Sequence, residues 1–147
     1  MNTNNLSTGI LGIWWLLSRE DWTKDGQQRV DPILGSDPIA ILAYAKDYFS
    51  AQFMKRSRTG SDIQPNQPGK NNTSAMGGYD AYFGTYQINE KTGKVSHTII
   101  GSINPSNIGM TVERTLEVNK DELIIKLETT TQEGEAVVRT LVWQRVS

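Results

Sequence analysis

Two side chains in this sequence carry most of the chemistry it could perform. His97 is the only histidine among 147 residues, and Arg114 is set into an otherwise apolar stripe. An imidazole with an ordinary pKa of about 6.5 can move protons near neutrality. A guanidinium offers a planar fork that fits a carboxylate, enolate or phenolate. Four further groups share the apolar side of their segments: Glu20, Tyr44, Tyr82 and Tyr86. The tyrosines could hydrogen-bond a ligand oxygen or stack on a ring, and Glu20 could be a base or the partner of Arg114. Each also has a plainer reading. Arg114 could pair within the fold, His97 could be a hydrogen-bonded core residue, and the tyrosines could simply pack.

The absence of other chemistry narrows the field. There is no cysteine, so disulfides, thiolate metal ligands and cysteine nucleophiles are out. A lone histidine does not make a transition-metal site, and no metal or other cofactor is expected. No Gly-x-Ser-x-Gly elbow, phosphate loop or dinucleotide fingerprint occurs. The net charge of -1 gives no reason to expect nucleic acid or an anionic membrane surface as a partner. Ile10–Leu17 is apolar but too short to span a bilayer, and the Asn-rich start lacks the pattern of a signal peptide. A cytoplasmic protein is the expectation.

The segments that must position these residues alternate with period two. Met110, Val112, Arg114, Leu116 and Val118 share one face, against Thr111, Glu113, Thr115 and Glu117 on the other. That is the pattern of a half-buried antiparallel strand. Leu123, Ile125 and Leu127 repeat it after the turn Asn119-Lys120-Asp121. Further strands are expected over Gly12–Trp22, Gln28–Val30, Ile39–Tyr44, Tyr48–Met54, Tyr79–Asn89, Val95–Ile103 and Ala136–Val146. The same alternation puts Leu16, Ser18, Glu20 and Trp22 inside on the first strand. It puts Tyr82, Gly84, Tyr86 and Ile88 inside on a later one, followed by Val95, His97, Ile99 and Ile103. Leu141 and Trp143 are taken as inward on the last strand, although Val138 and Val142 support the opposite phase. Eight or nine short strands joined by tight turns form an all-β, antiparallel up-and-down barrel with little helix. One domain over 1–147 accounts for the chain, with a flexible N-terminus over 1–9 and a long loop or insertion over 56–78.

Several of these segments resemble the lipocalin-like domain family of short bacterial and fungal proteins. They are Leu11-Gly12-Ile13-Trp14, Pro32-Ile33-Leu34-Gly35, Ala81-Tyr82-Phe83-Gly84-Thr85-Tyr86, Gly93-Lys94-Val95-Ser96-His97 and Leu141-Val142-Trp143-Gln144-Arg145. Ala40 and the turn near Asp47 and Tyr48 depart from the family's glycines. The resemblance implies a lipocalin-like barrel with an interior pocket. It also implies that Gly12, Trp14, Trp143 and Arg145 are structural, with Arg145 covering Trp14 at the closed end. A small, partly apolar or aromatic, acidic molecule held by Arg114, His97, Tyr82, Tyr86 and Tyr44 is then one expectation. A cofactor-independent isomerase or cyclase using His97, Arg114 and Glu20 is another. A third is a barrel filled by its own side chains, acting in a complex or as a homodimer.

Overall fold

The computed structural model describes residues 5–63 and 75–147, so the middle of the long loop expected over 56–78, residues 64–74, lies outside the described residues. The described residues form nine strands: β1 Gly12–Trp22, β2 Gln28–Arg29, β3 Ile39–Ala45, β4 Tyr48–Met54, β5 Tyr79–Asn89, β6 Lys94–Ser102, β7 Thr111–Asn119, β8 Glu122–Thr130 and β9 Ala136–Arg145. Their order in the sheet follows the sequence from β3 to β9, with β1 beside β3. β1 also pairs with β9 from Trp14↔Arg145 to Trp22↔Val138, so eight strands close into an antiparallel barrel and β2 adds a short ninth strand. Closure removes the sheet's free edges.

The core is the inward row of each strand, and one end of the barrel is sealed. Trp14 and Trp143 are almost wholly buried there. Trp14 donates Nε1–H to the Ile10 carbonyl at 2.8 Å. The Arg145 guanidinium lies 4.3 Å above the Trp14 ring. Its Nη1 reaches the Leu11 carbonyl and its Nη2 the Gly9 carbonyl, each at 2.6 Å, so the cation ties the last strand to the chain's beginning. One helical turn, α1 Leu6–Gly9, packs beside this seal with Leu6 buried.

Gly12 makes the seal possible. Its φ of +130° is open only to glycine, and a Cβ there would overlap the Ser147 carbonyl oxygen. Gly84 has a purely steric role, because a Cβ would run into the Thr98 carbonyl of the neighbouring strand.

Two bulges change which residues face inward. Between Leu16 and Ser18 the β1–β9 register slips, and Leu17 is left exposed. Beyond it Arg19 and Asp21 are buried, while Glu20 and Trp22 face solvent. This overturns the inward placement of Ser18, Glu20 and Trp22. A second slip between Phe83 and Gly84 adds a residue to β6, so Ser102 rather than Ile103 continues the row opposite Tyr82.

Replacing Gly12 by alanine is expected to destabilise the fold by about 1–3 kcal/mol or more, from strain at φ and the clash together. Urea unfolding would show this as a lower midpoint with an unchanged slope.

Candidate functional site

The barrel interior holds a cavity that opens to solvent. Leu42, Phe49, Ala51, Phe53, Ile125, Leu127 and Leu141 give it an apolar middle. The polar lining falls into two groups. Tyr44, Tyr82, His97 and Arg114 come from β3, β5, β6 and β7, and Arg19, Arg139 and Trp143 come from β1 and β9. In an eight-strand barrel of this order, β1 and β9 stand across the interior from β5 and β6.

His97 is buried, and its Nε2 lies 2.6 Å from the Tyr44 hydroxyl. Tyr44 makes no other hydrogen bond to a described residue, and with its O–H as the donor the ring hydrogen sits on Nδ1. Nδ1 itself is buried without a protein partner. Burial first, and then the charge of Arg114, lower the His97 pKa to about 3. The ring is neutral at every ordinary pH. Burial likewise raises the Tyr44 phenol above its usual range and pushes Tyr82 up to about 12.

Arg114 lies half-buried on β7, and its one hydrogen bond runs from Nη1 to the Glu113 carbonyl at 3.2 Å. No carboxylate pairs with it among the described residues. Burial lowers its pKa, and the nearby phenols of Tyr82 and Tyr44 oppose that shift. The Tyr82 ring meets Phe49 edge to face at 5.9 Å, and its hydroxyl makes no hydrogen bond to a described residue. Tyr82 and Arg114 also line the adjoining cleft beside Ile99, Ser102 and Met110, so they stand where the interior opens.

The other predicted residues lie elsewhere. Tyr86 is buried, but its hydroxyl donates to the Ala45 carbonyl at 2.8 Å and does not line the cavity. Glu20 sits on the outer surface and accepts from Trp22 Nε1 at 3.1 Å. It cannot partner Arg114 or act inside the barrel, because the β1 bulge reverses its side.

Sequence reasoning missed a group of buried charges. Arg139 donates Nε–H to Asp21 Oδ1 at 2.8 Å and Nη2–H to Oδ2 at 3.0 Å, a two-pronged pair with both partners buried. Arg19 Nη2 lies 3.4 Å from Asp31 Oδ2, while Arg19 Nε has no partner among the described residues. Asp31 also accepts the backbone N–H groups of Ile33 and Leu34, which brings Leu34 into the core. Asp80 is fully buried, and neither of its oxygens has a partner among the described residues. Burial raises its pKa to about 7, against the pull of the adjacent Ala81 backbone N–H and then of Arg19 and Arg139. Arg139 and Asp80 could have been found by extending the rows of Leu141–Trp143 and Tyr82 by one step of two residues. Nothing in the period-two pattern marks Arg19 or Asp21.

His97 and Asp80 act on stability in opposite directions. The folded state resists protonating His97, so the stability this residue contributes is full above pH 6.5 and is lost as pH falls towards about 3. The folded state retains a proton on Asp80, so that contribution is full below pH 3.8 and is lost as pH rises through about 7. Between pH 4 and 6.5 the two slopes oppose each other. Asp80→Asn should therefore make stability climb with pH across this window, by up to about 1.4 kcal/mol per pH unit relative to the parent. His97→Gln should tilt it the other way. Urea midpoints across the window check this, and parallel profiles in the two variants would contradict the assignment.

The fold agrees with comparison to known families. Residues 11–146 match the family described as the lipocalin-like domain. No curated protein matches the chain. The matched span runs from the sealing segment at Leu11 through the last strand and includes every residue that lines the cavity. The chain belongs to the lipocalin-like domain family.

Proposed function

We propose that the barrel binds a small, partly apolar acid, with the acid group on Arg114 and Tyr82 and the apolar body in the middle of the cavity. A lipocalin-like barrel suits small-molecule binding in general. The observation that carries the finer reading is Arg114, a half-buried cation lining the cavity with no carboxylate beside it among the described residues. An uncompensated charge in such a place is costly, and an anionic ligand removes that cost. The free Tyr82 hydroxyl adds a neutral donor at the same place.

The enzymatic alternative, a cofactor-independent isomerase or cyclase, draws less support. A histidine whose pKa lies near 3 is a weak base, and Glu20 is outside the barrel. Neutral His97 is better suited to hydrogen-bonding a ligand than to taking its proton.

Native mass spectrometry of the purified protein, followed by organic extraction, should show a bound small acid or uptake of added aromatic acids. Arg114→Gln should weaken that binding by about 2–5 kcal/mol. His97→Gln should leave affinity within about tenfold. An Arg114 variant with reduced stability but unchanged affinity would sink this reading.

A further inference from the structure

The wall of the barrel has a seam between β7 and β8. Their ladder runs from Asn119↔Glu122 to Thr115↔Lys126 and stops there. Both strands continue past that point. β7 stays paired with β6 as far as Thr98↔Thr111, and β8 stays paired with β9 as far as Thr130↔Ala136. Over Thr111–Arg114 and Leu127–Thr130 the two strands are therefore neighbours in the sheet without being bonded to each other. β1 also parts from β3 beyond Trp15, but there β2 takes up the pairing at Asp21 and Trp22.

The alternation of the ladders shows which backbone groups are left over. The Met110 carbonyl accepts from Ile99, and the Leu116 N–H donates to the Gly93 carbonyl. Even-numbered residues of β7 thus bond towards β6, and odd-numbered ones face β8. Likewise the Thr131 N–H donates to the Glu135 carbonyl and the Arg145 N–H to the Asp121 carbonyl, so even-numbered residues of β8 face β7. Had the ladder run on, Glu113 would pair with Glu128 and Thr111 with Thr130. The Glu113 carbonyl instead accepts Arg114 Nη1–H at 3.2 Å. The other groups at the seam have no strand to bond, so water must meet them.

The side chains account for the break. Glu113 and Glu128 are both exposed, and like charges directly opposite destabilise a strand pair. Lys94 Nζ, 3.7 Å from the Glu113 carboxylate, draws it towards β6. Burial behind the wall follows the ladder. Leu116, beside the bonded part, is 3% exposed, whereas Val112 and Arg114, on the same face beside the seam, are only half-buried. Val112, Arg114 and Leu127 all line the cavity.

We infer that ligands enter and leave the cavity sideways, through the seam between β7 and β8, with Arg114 on its inner lip. The apolar body passes first and the acid group comes to rest on the guanidinium. Charge sets that order, because the carboxylates of the outer lip repel an anion and Arg114 is the cation just inside. This rests on the reading of Arg114 as the acid-binding group and adds the route by which the acid arrives.

The test is stopped-flow binding of cinnamate and of neutral cinnamyl alcohol, followed by quenching of tryptophan fluorescence. Glu128→Lys turns the repelling pair into an attracting one and should let the ladder close. Hydrogen exchange followed by NMR should then show the Thr111 and Glu113 amides pass from rapid exchange to protection. Association and dissociation of both probes should slow by about tenfold or more, with Kd within about threefold of the wild type. The chain has no cysteine, so Glu128→Cys can be labelled at one position with a bulky maleimide, which obstructs the seam whether or not the ladder closes. That label should slow both probes. The same label on Glu122→Cys, in the bonded part of β8, or on Ser106→Cys, in the β6–β7 loop, should leave the rates unchanged. Unchanged rates with the Glu128→Cys label, or slowing by the Ser106→Cys label alone, would overturn the route. The acid site would still stand if Arg114→Gln weakened cinnamate and spared the alcohol. If Arg114→Gln affected both probes alike, the acid reading would fall, while slowing of the alcohol by the seam label would still support the route.

Discussion

A single extra residue in β1 decides what kind of interior this barrel has. Up to Leu16 the strand sends Trp14 and Leu16 inward, to the sealed end. The slip at Leu17 then changes the phase, and the same strand sends Arg19 and Asp21 inward. Without that slip the inward row would hold Ser18, Glu20 and Trp22. A bulge costs one unpaired backbone position and gives a local bend and stronger twist. Here it also converts an apolar strand into one with a charged second half. Asp21 is then opposite Arg139 in the β1–β9 ladder, and the pair forms between directly facing residues. The closure of the barrel and its deepest ion pair are one structural event.

That pair also explains why the interior tolerates so much charge. Removing one partner of a buried ion pair typically costs about 3–5 kcal/mol, because the other charge is left without water or counter-ion. Asp21 therefore needs Arg139 as much as Arg139 needs Asp21. Arg19 repeats the arrangement less tightly with Asp31, and Asp31 uses its other oxygen to hold the Ile33–Leu34 turn. Asp80, with no hydrogen-bonding partner among the described residues, answers burial by holding its proton more tightly. Arg114 has no such escape, since guanidinium does not lose its proton in proteins. The interior is thus balanced on the β1–β9 side and unbalanced on the β7 side.

Most of the architecture was readable in the sequence, because alternation and turn residues are local signals. The rows Leu123–Leu127 and Val95–Ile99 fall inside as expected, and the strand limits agree to within one or two residues. The seal of Gly12, Trp14 and Arg145 was legible through family resemblance, and its geometry follows from a positive φ and a cation over an indole. The site was less legible, for two physical reasons. Bulges have no period, so they reversed Glu20 and moved Ile103 out to the surface. In addition, hydropathy alone places charged residues outside. Arg139 shares a row with Leu141 and Trp143, yet only pairing to an unseen Asp21 makes its burial reasonable. Tyr86 shows the converse: it faces inward as expected, but the Ala45 carbonyl takes its hydroxyl.

The neutrality of His97 follows from the same imbalance. Its ring touches Phe49 edge to face at 4.6 Å and has one hydrogen bond, from Tyr44. A second positive charge there would lie near Arg114 in a medium that screens poorly. Arg114 therefore helps to keep His97 uncharged, and a neutral His97 leaves Arg114 as the cation of its wall. An anion arriving at Arg114 would relax both constraints together. It would cancel the guanidinium's charge and remove part of what depresses the imidazole's pKa. The order of causes sets how far this can go. Desolvation is the larger influence on His97 and persists when a ligand fills the cavity, so the imidazole moves upward without reaching its ordinary value. On the proposed reading, the acid held at Arg114 and the neutrality of His97 are thus linked, with desolvation keeping the imidazole uncharged.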